Sequence, residues 1–283
     1  MCILHQKSCQ MCGRYVTVSE IKVMEKKFNV SSLHPDLFKP NTNVSAGDLG
    51  PVITNENPQS LQFFQFGYSP SWAKKQFYMI NARSEGDNNK ENNPQYSGAK
   101  GIISKPMFRN SIRKRRCLVI ADAFIEGPKK EKLSKPYCVY LREKERPFAF
   151  AGIWDEWIDP NSGEVIPNFA IITTGSNKLT QTIGHHRSPV ILEESQYQAW
   201  LNTALPLSEA TTLLEPFPFQ KMNAYPISAI IKDPSLNDKE LLQPIGERIL
   251  PEYEYQFYEH LKLEGMGMSS ARRRKMGDQG SLF

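Results

Sequence analysis

Long apolar runs are missing from this chain. Nowhere do about 18 hydrophobic residues follow one another, which argues against a membrane-spanning helix. The opening MCILHQKSCQ lacks the apolar centre of a secretory signal, so a cytoplasmic protein is the expectation. Cysteine is scarce: five residues, an odd number with no dense framework, fit reduced thiols better than disulfides. Cys9 and Cys12 form a CxxC with Cys2 and His5 nearby, but no second ligand pair follows at finger-like spacing, and neither a metal nor a cofactor is expected. There is no internal repeat and no linker that would cut the chain in two.

What is present describes a globular protein. The 283 residues are 40% hydrophobic and 11% aromatic, enough to bury a substantial core, and the net charge of +5 is compatible with a polyanionic partner. Ser19–Phe28 places Ile21, Met24 and Phe28 on one helical face with Ser19 as the expected cap. Residues 38–44 read as an extended loop and the Asn-rich 86–100 as a mobile surface loop. PVITN, LQFFQFGY, CLVIADAF, YCVYLR, FAFAGIWDEW and NFAIITT read as closely spaced strands, with helices near 193–202, 208–214 and 252–263. The expected class is α+β: one compact domain with a mixed, mainly antiparallel, barrel-like β core and peripheral helices. The end, ARRRKMGDQGSLF, reads as part of a basic disordered tail over 264–283.

Chemistry is concentrated in Met11-Cys12-Gly13-Arg14-Tyr15. Removal of everything before Cys12 would give one carbon two nucleophiles, an α-amine with a pKa of about 7.7–8.0 and a thiol of about 8.5. With an aldehyde the amine can form a Schiff base, on which the thiol closes to a thiazolidine. An internal cysteine cannot do this, because its nitrogen is in an amide. Read blandly, Cys12 is a structural thiol at the start of a strand.

Three later stretches put polar groups among apolar ones. Asn81, Arg83 and Glu85 alternate on one face of an extended segment, as any solvated strand would. Glu126 ends the apolar run 117–125, where burial could fit it for acid–base work, although the following Gly-Pro-Lys-Lys also suits a surface turn. His185 and His186 precede Arg187 and an apolar strand; from an extended backbone only one of the two can face a site.

In combination these motifs, with Trp72-Ala73-Lys74, Arg116-Cys117-Leu118, Ala151-Gly152-Ile153-Trp154-Asp155 and Ile171-Ile172-Thr173-Thr174, resemble the SOS response-associated peptidase (SRAP) family, the abasic-site processing proteins. The resemblance runs in order from Met11 to about residue 245 and implies a catalytic domain over 11–250, preceded by a pro-segment or mis-assigned start at 1–10. It implies a monomer that shields abasic sites in single-stranded DNA through a covalent thiazolidine, with autoproteolytic exposure of Cys12 and lyase activity on the side. Carried over, Cys12 is the nucleophile, Asn81 orients the amine or sugar, Glu126 shuttles protons and His185 acts on the sugar oxygen. Arg14, Arg83 and Arg187 would hold phosphates, and Trp72 would wall an unstacked base. Four positions depart from the family pattern, Phe66, Gly127, Ser188 and Ala46, and all are expected on pocket walls. The alternatives are an N-terminal-nucleophile cysteine peptidase or amidohydrolase with His185 as base, and a single-strand DNA module without chemistry.

Overall fold

A computed structural model describes residues 13–143, 145–252 and 257–263 of the chain; Cys12, the CxxC, the segment 1–10 and the tail 264–283 lie outside the described residues. The apolar runs form the strands they suggest. Leu49–Thr54, Ser60–Phe66, Arg116–Ala121, Phe148–Ile158 and Val165–Gly175 pair in a ring, antiparallel at four junctions. The fifth junction closes it with a parallel pairing of Gln65 with Asn168 and Phe66 with Phe169. Closure of this kind removes the unpaired edges of a sheet.

Alternation along these strands explains why they read as unbroken hydrophobic runs. Cys117, Val119 and Ala121 enter one core cluster with Phe66, Phe150 and Phe169, while Leu118 and Ile120 enter another with Met24, Ile112 and Trp200. Successive side chains point to opposite faces, and both faces are covered. The second cluster takes the apolar faces of the short helices Ile21–Phe28, Ser111–Lys114 and Tyr197–Leu201.

A second sheet, antiparallel throughout, runs in the order Asn41–Val44, Arg14–Thr17, Ala123–Glu126, Tyr137–Leu141, Met222–Pro226. The chain crosses from ring to second sheet at Asp122. This buried carboxylate accepts from the Val18 amide at 2.6 Å, the Ser19 amide at 2.9 Å and the Ser19 hydroxyl at 2.5 Å, and pairs with Arg146 at 3.2 Å. The class and architecture are those expected: an α+β domain with a closed, mainly antiparallel barrel and peripheral helices.

Four local expectations change. Ser19 does not cap the first helix; its hydroxyl is spent on Asp122, and Glu20 takes the cap position without a side-chain bond. Asn41–Val44 is a strand, not a loop, because it edges the second sheet against Arg14–Thr17. Two of the later helices are shorter than expected and begin or end in 3-10 turns: Glu194–Gln196 leads into Tyr197–Leu201, and Leu207–Ala210 into Thr211–Leu213. Residues 86–100 carry neither helix nor strand, yet Asn89 is buried, its carbonyl accepts from Arg83 and Lys100 donates to the Leu214 carbonyl, so the segment is tied to the body. No helix among the described residues is long and apolar enough to cross a membrane.

Candidate functional site

The strand Ala123–Glu126 lies beside Arg14–Thr17 with Arg14 opposite Ile125 and Tyr15 opposite Phe124. One further step of this antiparallel register sets Gly13, the residue after Cys12, across from Glu126. The amino-terminal strand is held on both faces: Tyr15 packs edge-on against Phe66 and Phe150 in the barrel, and Val16 enters the cluster behind the second sheet.

Glu126 is buried at the strand end, so the surface turn after it does not extend to the carboxylate itself. Its Oε1 accepts the Gly127 amide at 3.0 Å, and its Oε2 lies 3.2 Å from Nδ1 of His185. The same Nδ1 is 3.1 Å from the Arg187 carbonyl oxygen. A carbonyl can only accept, so Nδ1 carries the proton, and in the neutral ring Nε2 keeps its lone pair. A carboxylate within hydrogen-bond reach of an imidazole that it orients is a general acid–base arrangement.

This pair sits in a groove of about 760 Å³ that Gly13, Arg14, Ser45, Ala46 and Ile80 also line. Its remaining wall is the segment 127–134, with Lys232 and Pro234. Five cations, Arg14, Lys129, Lys130, Lys132 and Lys232, border it against two carboxylates, Glu126 and Glu131. Burial lowers the pKa of the Arg14 guanidinium, opposed by the nearby Asp48 and Asp233, and Arg14 Nη2 donates to the Lys232 carbonyl at 3.1 Å. Both histidines line the groove, contrary to the expectation for an extended backbone. Gly184, at φ 87°, turns the chain just before them, and their rings stand 4.8 Å apart. Burial, then the proximity of His185, Lys129, Arg187 and Arg83, pushes His186 down to about 4.

The other expected site residues are distributed unevenly. Asn81 begins the strand Asn81–Arg83 immediately after Ile80, whose Cδ1 would lie 3.5 Å from a Cβ on Gly13. Arg83 is half-buried, donates to the Asn89 carbonyl and is near enough to His186 to act on its charge. Arg187 is fully buried: its terminal nitrogens bind Glu85 at 3.0 and 2.7 Å and the Thr173 carbonyl at 2.9 Å. A guanidinium so enclosed and neutralised does not hold a phosphate, and the role expected of Arg187 is corrected to supporting the segment that carries His185. Trp72 is 56% exposed and stands apart from the groove, at a second cleft of about 310 Å³ beside Arg113, Lys114 and Arg115. Among the described residues no group of three or more His, Cys, Asp or Glu is placed to hold a metal ion.

Comparison with known proteins places this geometry. The family model described as SOS response associated peptidase (SRAP) matches residues 11–234. The chain belongs to the SRAP family. The abasic site processing protein YoqW of Bacillus subtilis (strain 168) is 30% identical over 240 residues, covering 82% of this chain and 99% of that protein. HMCES of Xenopus tropicalis, also named an abasic site processing protein, is 25% identical over 244 residues, covering 74% of this chain and 68% of that protein. A crystal structure of a Bacteroides thetaiotaomicron protein superposes with a TM-score of 0.68 at 30% identity, over 83% of this chain and all of the other.

Of the four positions that depart from the SRAP pattern, Gly127 and Ala46 line the groove. Phe66 does not: it is fully buried in the barrel, stacked on Phe169 with ring centroids 5.3 Å apart. Ser188 is also internal, 2.8 Å from the Thr180 hydroxyl. Sequence reasoning weighed Glu85 and His186 without giving either a role, and missed Lys232 and the lysines of 129–132 as parts of the site. The signal for the lysines was visible in Gly-Pro-Lys-Lys-Glu-Lys, which reads as a solvated turn until Glu126 is placed beside it.

Proposed function

We propose that this chain captures abasic sites in single-stranded DNA through Cys12 as an amino-terminal residue. The observation that carries the reading is the buried Glu126–His185 pair in a cation-bordered groove that begins at Gly13, one residue from Cys12. The names of the family's relatives, abasic site processing proteins, support abasic sites as the target.

The reaction needs no redox partner. The Cys12 amine adds to the C1′ aldehyde of the ring-opened sugar and water leaves, giving an imine. The thiolate then adds to the imine carbon while the nitrogen gains a proton, closing the thiazolidine. Glu126 and His185 move the protons that these additions and the loss of water require, His185 through its unprotonated Nε2. Asn81, on the strand next to Ile80, orients the amine or sugar, and Arg14 and Arg83 supply positive charge for the flanking phosphates. The amine must be free, so residue 12 has to become the first residue, by cleavage before it or by a start at Met11 followed by removal of that methionine. Diversion of the imine into β-elimination gives strand cleavage as a side reaction.

The test is incubation with a single-stranded oligonucleotide bearing one abasic site, followed by denaturing electrophoresis and intact mass. The expected result is a heat-stable adduct with wild type and none with Cys12→Ala. Glu126→Gln and His185→Ala are expected to slow adduct formation by about 10²–10⁴-fold, the usual worth of general acid–base catalysis. Turnover of an amide or peptide with no adduct would instead establish the amidohydrolase reading, and strand binding undiminished in every variant without any adduct would leave a plain DNA-binding module.

A further inference from the structure

Gly127 is the first residue after the strand that carries Glu126, and it has no room for a side chain. A Cβ built there would meet the Lys132 carbonyl oxygen at 2.0 Å and that of Lys135 at 3.2 Å. Both oxygens belong to the loop 128–135, which lies directly over the glycine. The loop is fastened elsewhere as well. The Lys132 amide donates to the Pro128 carbonyl at 2.7 Å, and the Lys129 amide to the Gly184 carbonyl at 3.1 Å, one residue before His185. Lys132 itself is at φ 52°, a left-handed conformation that a lysine keeps only where its surroundings impose it. Further along, Ser134 Oγ accepts from Lys232 Nζ at 2.7 Å.

This segment is therefore a constructed wall of the groove. Lys129, Lys130 and Lys132 border the groove from it, while its one carboxylate, Glu131, lies 3.9 Å from Lys135. Ammonium groups on flexible stems are compact charges able to follow a backbone of phosphates without reading bases. The cation at 187, meanwhile, is buried and neutralised.

We propose that loop 128–135 is a phosphate-holding wall that keeps the backbone of single-stranded DNA beside the Glu126–His185 pair, and that the absence of a side chain at 127 is what admits it. The inference rests on reading the groove as a single-strand site. It makes Gly127, one of the departures from the family pattern, a specificity-determining position. Here the bulk of a side chain is exchanged for a lysine-bearing loop.

The experiment measures affinity of the full chain for an intact single-stranded oligonucleotide, without an abasic site, by fluorescence anisotropy across a salt series. Each phosphate neutralised on a single strand contributes about −0.7 to the slope of log affinity against log salt. Lys129→Ala/Lys130→Ala/Lys132→Ala is expected to flatten the slope by about 0.7 for each phosphate no longer neutralised, and so by about two if every lysine holds one. Gly127→Val keeps every lysine and is expected to flatten it too, with thermal melting showing that the variant is folded. An unchanged slope in the triple variant overturns the wall, and a folded Gly127→Val with the wild-type slope overturns the role of the glycine. Because the probe has no aldehyde, failure of covalent capture leaves these slopes untouched. A wild-type chain with no salt-dependent affinity for the strand overturns the wall as well.

Discussion

At the scale of single residues, the Glu85–Arg187 pair shows how a charge can belong to a site without touching its ligand. Two bonds of 3.0 and 2.7 Å inside the protein lock the start of the strand Arg187–Pro189, two residues after His185. Burial by itself would raise the Glu85 carboxyl, but the hydrogen bonds and charge of Arg187 outweigh it and hold the group below its usual range. The stability this supplies is present above the ordinary carboxylate pKa and is lost as pH falls through the lowered one. Arg187→Met should destabilise the fold by about 3–5 kcal/mol in urea unfolding, because it strands a buried carboxylate, whereas Glu85→Leu with Arg187→Met should cost less than the single change. His186 acts with the same sign in a higher pH window. Its pKa is depressed to about 4 from the usual 6.5, so the unfolded chain binds the extra proton and the fold loses stability as pH falls from 6.5 toward 4. A urea titration at several pH values should show that loss, and His186→Asn should be flatter over the same window; equal slopes would place His186 in a solvated setting.

At the scale of elements, the corner at Asp122 decides where the Glu126 carboxylate goes. The run Cys117–Ile125 reads as one apolar strand, but its sixth member is an aspartate on which two amides, a hydroxyl and Arg146 converge. The strand therefore breaks there, leaves the barrel and joins the amino-terminal strand, so that Glu126 and Gly13 line one groove. Asp122→Ala removes the acceptor for all four groups and should lower stability by about 3–5 kcal/mol, the cost of breaking a buried ionic contact. Adduct formation should fall with it even at temperatures where the variant is folded, since both strands of the site hang on this corner. Full adduct yield from a folded Asp122→Ala would show that the corner serves stability alone. Neither the corner nor the loop over Gly127 was legible locally: an aspartate amid apolar residues and a Gly-Pro-Lys-Lys turn have the same sequence appearance whether they organise a site or face water.

At the scale of the whole molecule, the barrel is closed by a parallel pairing of segments about a hundred residues apart, sealed by Phe66 on Phe169 and by Tyr15 from the amino-terminal strand. Phe66→Ala should cost about 3–5 kcal/mol in chemical denaturation. The folded variant should keep the salt dependence of strand binding, because Phe66 faces the core and not the groove. A changed slope in folded protein would return Phe66 to the pocket wall.

The α+β class, the strands, the family and the identities of Cys12, Glu126 and His185 as candidates were all readable from the chain. Alternation, turn residues and motif order are local properties, written along the sequence. Tertiary structure alone decided that Glu126 meets His185, that both histidines share one groove, that Arg187 faces Glu85 and not solvent, and that Trp72 stands at a different cleft. Each of these depends on which distant segment comes to lie alongside. Burial, charge pairing and the direction a side chain faces are set by that neighbour, and it is not written beside the residue it governs.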